Sequence, residues 1–205
     1  MKIAIIGASR GTGLATVKEA LGRGHAVSGI ARKPATLADP KLEWIKGDAR
    51  DASVLARALS GADASVVALS VPDPWNPTTL FSEAQTALIA ANGPKRSLLV
   101  TGIGAGDSRG HNGWFYDRVI FPLVLAKSYV DKNRAETLLQ QSTLDWTIVR
   151  PGRLTNGPKK NKVEALVGVE NYRHGVISRA DVGAFIVDCI EKNAFVRQTP
   201  GVISV

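Results

Sequence analysis

The segment Gly7-Ala8-Ser9-Arg10-Gly11-Thr12-Gly13 constrains this chain more than any other. It follows an apolar run at 2–6 and precedes a stretch in which Leu14, Val17 and Leu21 recur on one helical face. Strand, glycine turn and amphipathic helix in that order make a unit whose turn lets backbone approach a ligand closely. The spacing is G-x-x-x-G-x-G. It is neither G-x-G-x-x-G nor the G-x-x-x-x-G-K phosphate loop, which needs a lysine after its last glycine. The chemistry is nonetheless that of the first pattern. The glycines allow a tight turn, and the helix N-terminus offers free N–H groups and partial positive charge to a pyrophosphate. Gly7, Ser9, Arg10, Gly11, Thr12 and Gly13 are the expected contacts.

The same alternation continues along the chain. Apolar runs rich in Val and Ile recur at 26–31, 64–70, 97–101, 146–150 and 202–205, with a weaker one at 42–46. Helical spacings separate them. Val54, Leu55, Ala58 and Leu59 share a face, with Gly61 as a stop. Asn76-Pro77 predicts the start of a third helix, which ends before Asn92-Gly93-Pro94. A fourth covers 116–141, with Pro122 in a loop or at a kink. Ser178 and Asp181 resemble a capping box that opens a last helix, through about Lys192. Strands alternating with helices predict parallel pairing and right-handed crossovers. The expected fold is therefore α/β, a single-domain doubly wound parallel sheet over 1–205, with roughly seven strands and helices on both faces. Two long connections, 102–115 and 152–177, are expected over the carboxyl edge of the sheet, where such folds bind ligands.

Charge narrows the partners. The chain has 26 basic and 18 acidic residues, a net charge of +8. The basic residues are scattered, and the densest group, Lys159-Lys160-Asn161-Lys162, lacks interleaved aromatics. A small phosphate-bearing cofactor accounts for part of the excess better than nucleic acid does. Cys189, the one cysteine, sits among Phe185, Ile186 and Ile190 and reads as a packed thiol. An intramolecular disulfide is excluded, and a cytoplasmic, reducing location is expected. No apolar run approaches the roughly 20 residues that span a bilayer. The run Ile3–Ile6 reads as a buried strand, not as a signal segment. No Cys/His pair or His/carboxylate cluster has metal-ligand spacing, so no metal is expected. There is no G-x-S-x-G nucleophile elbow. Monomer and homodimer both remain open.

The end of the second run selects the cofactor. NAD-preferring sites place an acid there for the ribose 2′-hydroxyl. Here the run reads Gly29-Ile30-Ala31-Arg32-Lys33, and no acid appears before Asp39. Arg32 and Lys33 can pair a 2′-phosphate, which a carboxylate would repel. Arg10 can add a third cation. Both could also be solvated charges at a strand end, but the missing acid favours NADP(H) over NAD(H).

Several further stretches carry a resemblance across nearly the whole chain: Gly47-Asp48, Gly61-Ala62-Asp63-Ala64, Leu144-Asp145-Trp146-Thr147-Ile148-Val149-Arg150-Pro151-Gly152 and Ile177-Ser178-Arg179-Ala180-Asp181-Val182. With the glycine loop and Ala31-Arg32, they resemble the atypical short-chain dehydrogenase/reductase group. Within it, the chain is similar to the flavin reductase/biliverdin-IXβ reductase type and to NmrA-like NAD(P)H-binding proteins. The resemblance implies a Rossmann fold. It also implies that Asp48 and Ala49 flank the adenine, and that Leu69 and Ser70 lie along the ribose and phosphates. Thr101, Gly102, Pro151 and Gly152 would border the nicotinamide, and Lys132 its ribose. Asp48 could instead cap the helix that begins near Asp51.

The departures bear on chemistry. The larger relatives use Tyr-x-x-x-Lys to protonate a carbonyl oxygen. No tyrosine here has a lysine four residues on: Ile120 follows Tyr116, Asn133 follows Tyr129 and Val176 follows Tyr172. Tyr129 and Lys132 are three apart, still neighbours on a helix. The serine that often follows the fifth strand is replaced by Ile103 or Gly104. Lys132, Tyr129 and Tyr116 are the candidate catalytic residues, and His111 is a further possible proton donor. Trp114, Phe115 and Tyr116 could stack on a planar ligand or anchor the helix start. The expected function is NADPH-dependent hydride transfer to a small planar acceptor, flavin- or quinone-like, which needs no strong protein acid. A redox-sensing regulator that binds NADP(H) without turnover is the alternative. Sugar epimerases of this superfamily usually need a larger C-terminal region than the residues after Arg150 supply.

Overall fold

The computed structural model describes residues 1–111, 113–114 and 116–205, and the side chains of Tyr116 and Ile120 lie outside the description. The expectations for Phe115 and for the Tyr116 ring therefore fall outside the described residues. The first half of the chain forms β1 (Lys2–Ile6), α1 (Gly11–Gly22), β2 (Ala26–Ala31), β3 (Leu42–Lys46), α2 (Ala52–Leu59) and β4 (Ala64–Val67). Then come α3 (Leu80–Ala90), β5 (Arg96–Val100), a π-helical stretch Tyr116–Leu125 that runs into α4 (Ala126–Gln140), and β6 (Asp145–Pro151). The chain ends with β7 (Arg153–Thr155), β8 (Val163–Leu166), β9 (Val176–Ser178), α5 (Arg179–Glu191) and β10 (Gly201–Ser204).

The main sheet has eight strands in the order β3-β2-β1-β4-β5-β6-β10-β8. All neighbours are parallel except β10 and β8. The chain builds outward from β1 in one direction, then returns to β4 and builds in the other. The order reverses between β1 and β4, which is where a doubly wound sheet opens a crevice beyond its strand ends. The helices cover both faces. Val17, Ala20, Val182 and Ile186 bury one face under α1 and α5. Leu55, Phe81, Leu88 and Leu139 bury the other under α2, α3 and α4. Among the described residues, no helix is long and apolar enough to cross a membrane.

Three local features differ from the sequence expectation. The sheet has an eighth strand, β8, because part of 152–177 pairs antiparallel with β10 instead of forming a bare loop. β4 stops at Val67, which leaves Ala68, Leu69 and Ser70 as backbone at the switch point. α3 begins at Leu80, not at Asn76. Asn76 closes a turn by donating to Asp73 Oδ2 at 2.5 Å, and the helix start is capped from outside. Asp131 on α4 accepts from the Phe81 N–H at 2.8 Å and also from the Ser82 hydroxyl. Of the two alternatives for Pro122, the helical one holds: it lies inside the π-helical stretch. Ser178 caps the last helix as expected: its Oγ accepts from the Asp181 N–H at 3.0 Å and donates to Asp181 Oδ2 at 2.7 Å.

Cys189 is 1% exposed. Burial pushes its thiol up to about 12, and Arg96 donates to its backbone carbonyl at 3.1 Å.

Asp131 is buried and joins two helices, so its loss strands the α3 N–H groups. Asp131→Ala is expected to destabilise the fold by about 1–3 kcal/mol, the scale of a lost cap and unsatisfied buried donors. Urea denaturation should show a lower midpoint with an unchanged slope.

Candidate cofactor and active site

The glycine loop draws its shape from close contact. A β-carbon at Gly13 would overlap the Gly7 carbonyl oxygen, so α1 can start directly above the end of β1 only if residue 13 is glycine. Gly7 itself sits at φ +86°, turning the chain out of the strand. Arg10 is the N-cap residue of α1, yet it makes no side-chain cap, and the first turn holds no acid. The N-termini of α2, α3 and α5 are satisfied by Asp51, Asp131 and Ser178. The start of α1 thus keeps donor groups and positive potential available. It points to the switch point.

Two clefts open there. The first, about 650 Å³, is bounded by the glycine loop, the end of β2 and the turn after β3, and includes Ser9, Arg32, Lys33, Asp48 and Ala49. The second, about 510 Å³, lies between Gly11-Thr12, the end of β5 and α4, and includes Thr101, Ser128 and Lys132. Arg10, Leu69 and Ser70 belong to both walls. Arg10 reaches across this junction to the Ser70 carbonyl at 3.4 Å.

In the first cleft, Asp48 is not a helix cap, since Asp51 fills that place by accepting from the Ser53 N–H at 2.8 Å. Asp48 pairs with Arg50 at 2.9 Å. The Arg50 hydrogen bonds hold its carboxyl down at about 2, with Arg32 adding to the effect. Arg32 and Lys33 are exposed and face the same space.

In the second cleft, Lys132 donates to the Thr101 carbonyl at 3.0 Å. Its ammonium lies 4.4 Å from the centre of the Tyr129 ring and 5.5 Å from that of Phe81. Desolvation lowers its pKa to about 8, against the pull of Glu136. Below that pH the group is mainly charged, and it loses its proton as pH rises through 8. The Thr101 hydroxyl donates to Glu136 Oε1 at 2.6 Å. Its proton is committed inward, so toward the cleft this oxygen can only accept. Glu136 in turn pairs with Arg150 at 2.7 Å. Arg150 also binds Asp107 and the Tyr172 hydroxyl. Burial opposes the Arg150 charge, but the bond and field of Glu136 outweigh it and keep the guanidinium above its ordinary pKa.

The expected residues divide accordingly. Gly7, Ser9, Arg10, Arg32, Lys33, Asp48, Ala49, Leu69 and Ser70 meet in the first cleft; Gly11, Thr12, Thr101 and Lys132 meet in the second. Gly13 lies beneath the loop rather than in a wall. Gly102 and Pro151 stand back from both clefts, because β5 and β6 continue past their ends through the Ile103 N–H bond to the Pro151 carbonyl at 3.0 Å. Gly152 is held to Val202 at 2.9 Å. Tyr129 is 7% exposed and belongs to neither wall. Its hydroxyl lies against Gly102, where a β-carbon would fall 2.7 Å from it. His111 is half-buried, edge-on to the Tyr172 ring at 6.2 Å. Trp114 is 70% exposed. Three polar residues of the second wall went unassigned from sequence: Ser128, Asn156 and Arg179. Ser128 was within reach of a spacing argument, since it and Lys132 are four apart on α4. Among the described residues, no cluster could hold a metal ion.

The model of the NAD(P)H-binding family matches residues 7–193. The chain belongs to that family. Two solved structures of ChuY lie close to it. ChuY from E. coli strain CFT073 is 28% identical with a TM-score of 0.82, covering 100% of this chain and 97% of that one. ChuY from Escherichia coli O157:H7, described as an anaerobilin reductase, is 26% identical with a TM-score of 0.79 and the same coverage. A Bacillus subtilis (strain 168) relative, an uncharacterized sugar epimerase, is 35% identical over 105 residues, which is 51% of this chain and 43% of that protein. The match thus spans less than half of that relative's length. The site fits an NAD(P)H-family cofactor: an uncapped, acid-free helix start sits between two clefts large enough for the two halves of a dinucleotide.

Because the collision at Gly13 is with backbone, Gly13→Val is expected to displace the glycine loop itself. Cofactor binding, followed by quenching of protein fluorescence, should fall below detection while the far-ultraviolet circular dichroism keeps its α/β form. Unchanged affinity would remove the loop from the binding site.

Proposed function

We propose that the protein is an NADPH-dependent reductase of a small planar acceptor, flavin- or quinone-like. One observation carries the reading. The second cleft brings together a lysine ammonium, an inward-committed threonine hydroxyl and apolar walls such as Phe81, Leu125 and Leu154, while the Tyr129 hydroxyl is turned toward Gly102. When bound, the cofactor supplies the hydride. The chain supplies placement. Gly7 to Gly13 and Arg10 receive the pyrophosphate, Arg32 and Lys33 the 2′-phosphate, and Asp48 and Ala49 the adenine. Lys132 holds the ribose of the reactive half, and Thr101 accepts a hydrogen bond beside it. A conjugated acceptor spreads the charge it gains, so no strong acid has to stand beside it. The likeness to ChuY, a reductase in E. coli O157:H7, supports the class of reaction.

The deciding measurement is anaerobic NADPH oxidation against a panel of flavins, quinones and simple carbonyls. Turnover with the flavins or quinones is expected, and Tyr129→Phe should keep it within about tenfold, short of the 10²–10⁴ lost with a general acid. Turnover with carbonyls alone, or tight NADPH binding with no turnover at all, would replace this reading, the latter with a redox sensor.

Arg32 sets the cofactor preference. Arg32→Ala should weaken NADPH by about 1–3 kcal/mol, the scale of a charge-assisted contact, and leave NADH nearly unchanged. Titration calorimetry with both cofactors checks this, and equal losses would detach Arg32 from the 2′-phosphate.

A further inference from the structure

The C-terminal half of the chain places one more cation at the glycine loop. α5 lies against α1 at Gly183, where a β-carbon would come within 2.8 Å of the Ala15 carbonyl carbon. One turn earlier in each helix stand Arg179 and Gly11. A β-carbon on Gly11 would sit 3.7 Å from Arg179 Nε, so the guanidinium lies over the first turn of α1. At the other end, Arg23, just past α1, binds Asp188 at 2.5 Å and Glu191 at 2.7 Å. The two helices therefore run in the same direction, with both N-termini at the cleft.

Those N-termini are not equivalent. The start of α5 is closed by Ser178, and the Asp181 carboxylate is occupied by the backbone N–H groups of Lys160 and Asn161, each at 2.9 Å. The start of α1 has no such group. Arg179 therefore faces an open helix start without a carboxylate of its own. Its described partner is the neutral Asn156, whose Oδ1 accepts from Nη1 at 2.7 Å. Arg10, Lys132 and Arg179 all wall the second cleft, and no carboxylate does.

We infer that Arg179, oriented by Asn156, is a ligand of the cofactor's pyrophosphate. This rests on the proposed dinucleotide reading. The planar guanidinium suits a diphosphate, which can accept two parallel N–H bonds. It also divides the labour among the cations: Arg32 and Lys33 read the 2′-phosphate, and Arg179 grips what NADPH and NADH share.

The test is titration calorimetry of wild type and Arg179→Met with NADPH, NADH and adenosine 2′-monophosphate, which carries the 2′-phosphate but no part of the diphosphate. Arg179→Met should weaken both dinucleotides by the same factor, about tenfold or more for a charge-assisted pair. The monophosphate should bind as before. Arg179→Lys should recover part of the loss, because the point charge returns without the fork. Asn156→Ala should weaken both dinucleotides equally but less. Dinucleotide affinities within twofold of wild type in Arg179→Met would overturn the inference. So would a parallel loss of the monophosphate, which would mark a general disturbance. If Arg179→Met does not fold, Asn156→Ala decides: unchanged dinucleotide binding there overturns the assignment. A wild-type chain that binds none of the three ligands would overturn the dinucleotide reading itself, and this inference with it.

Discussion

The buried pair of Arg150 and Glu136 holds the working end of the sheet together. Arg150 is 1% exposed in its side chain and Glu136 3%. Removing Arg150 would leave the buried Glu136 carboxylate without its ion-pair partner, a penalty of about 3–5 kcal/mol. Arg150 comes from β6 and Glu136 from α4. Through them, the Thr101 hydroxyl at the end of β5, Asp107 in the following turn and the Tyr172 hydroxyl are tied to one point. Thr101 is the outermost link, and Lys132 rests on its carbonyl. The cleft wall is thus positioned from behind by charges that line neither cleft.

That arrangement separates two kinds of cation. Arg150 and Arg96 are internal and held by protein groups, Arg96 by the carbonyls of Asp145, Cys189 and Ala194. Arg10, Arg32, Lys33, Lys132 and Arg179 stand at cavity walls. The excess positive charge of the chain is therefore concentrated, in part, where phosphates would be held. The one acid among these walls that is strongly ionised, Asp48, is already neutralised by Arg50.

Local pattern made most of the framework legible. The apolar runs became strands, the glycine loop lies at the switch point, and Ser178 caps α5. What escaped was decided by partners distant in sequence. Asn76-Pro77 has the right local chemistry for a helix start, but Asp131 supplies a better cap fifty positions later in the chain. β8 shows no strong strand pattern and exists because the edge of β10 offers it a partner. Tyr129 and Lys132 are neighbours on α4, as their spacing implied. Spacing could not reveal that the hydroxyl turns toward Gly102. Arg179 sat inside a recognisable motif without a role, because its role depends on α5 lying parallel to α1.

The burial of Cys189 has a practical side. It is the only thiol in the chain, and it is inaccessible and poorly ionised, with a pKa raised to about 12. Thiolate is the reactive form, so a thiol reagent has little to attack in the folded molecule. Modification must wait for α5 to leave the sheet. The rate at which label accumulates then counts opening events of that helix. Because α5 carries Arg179 and packs beside α1, the same clock would register how firmly a bound ligand ties the two halves of the chain together.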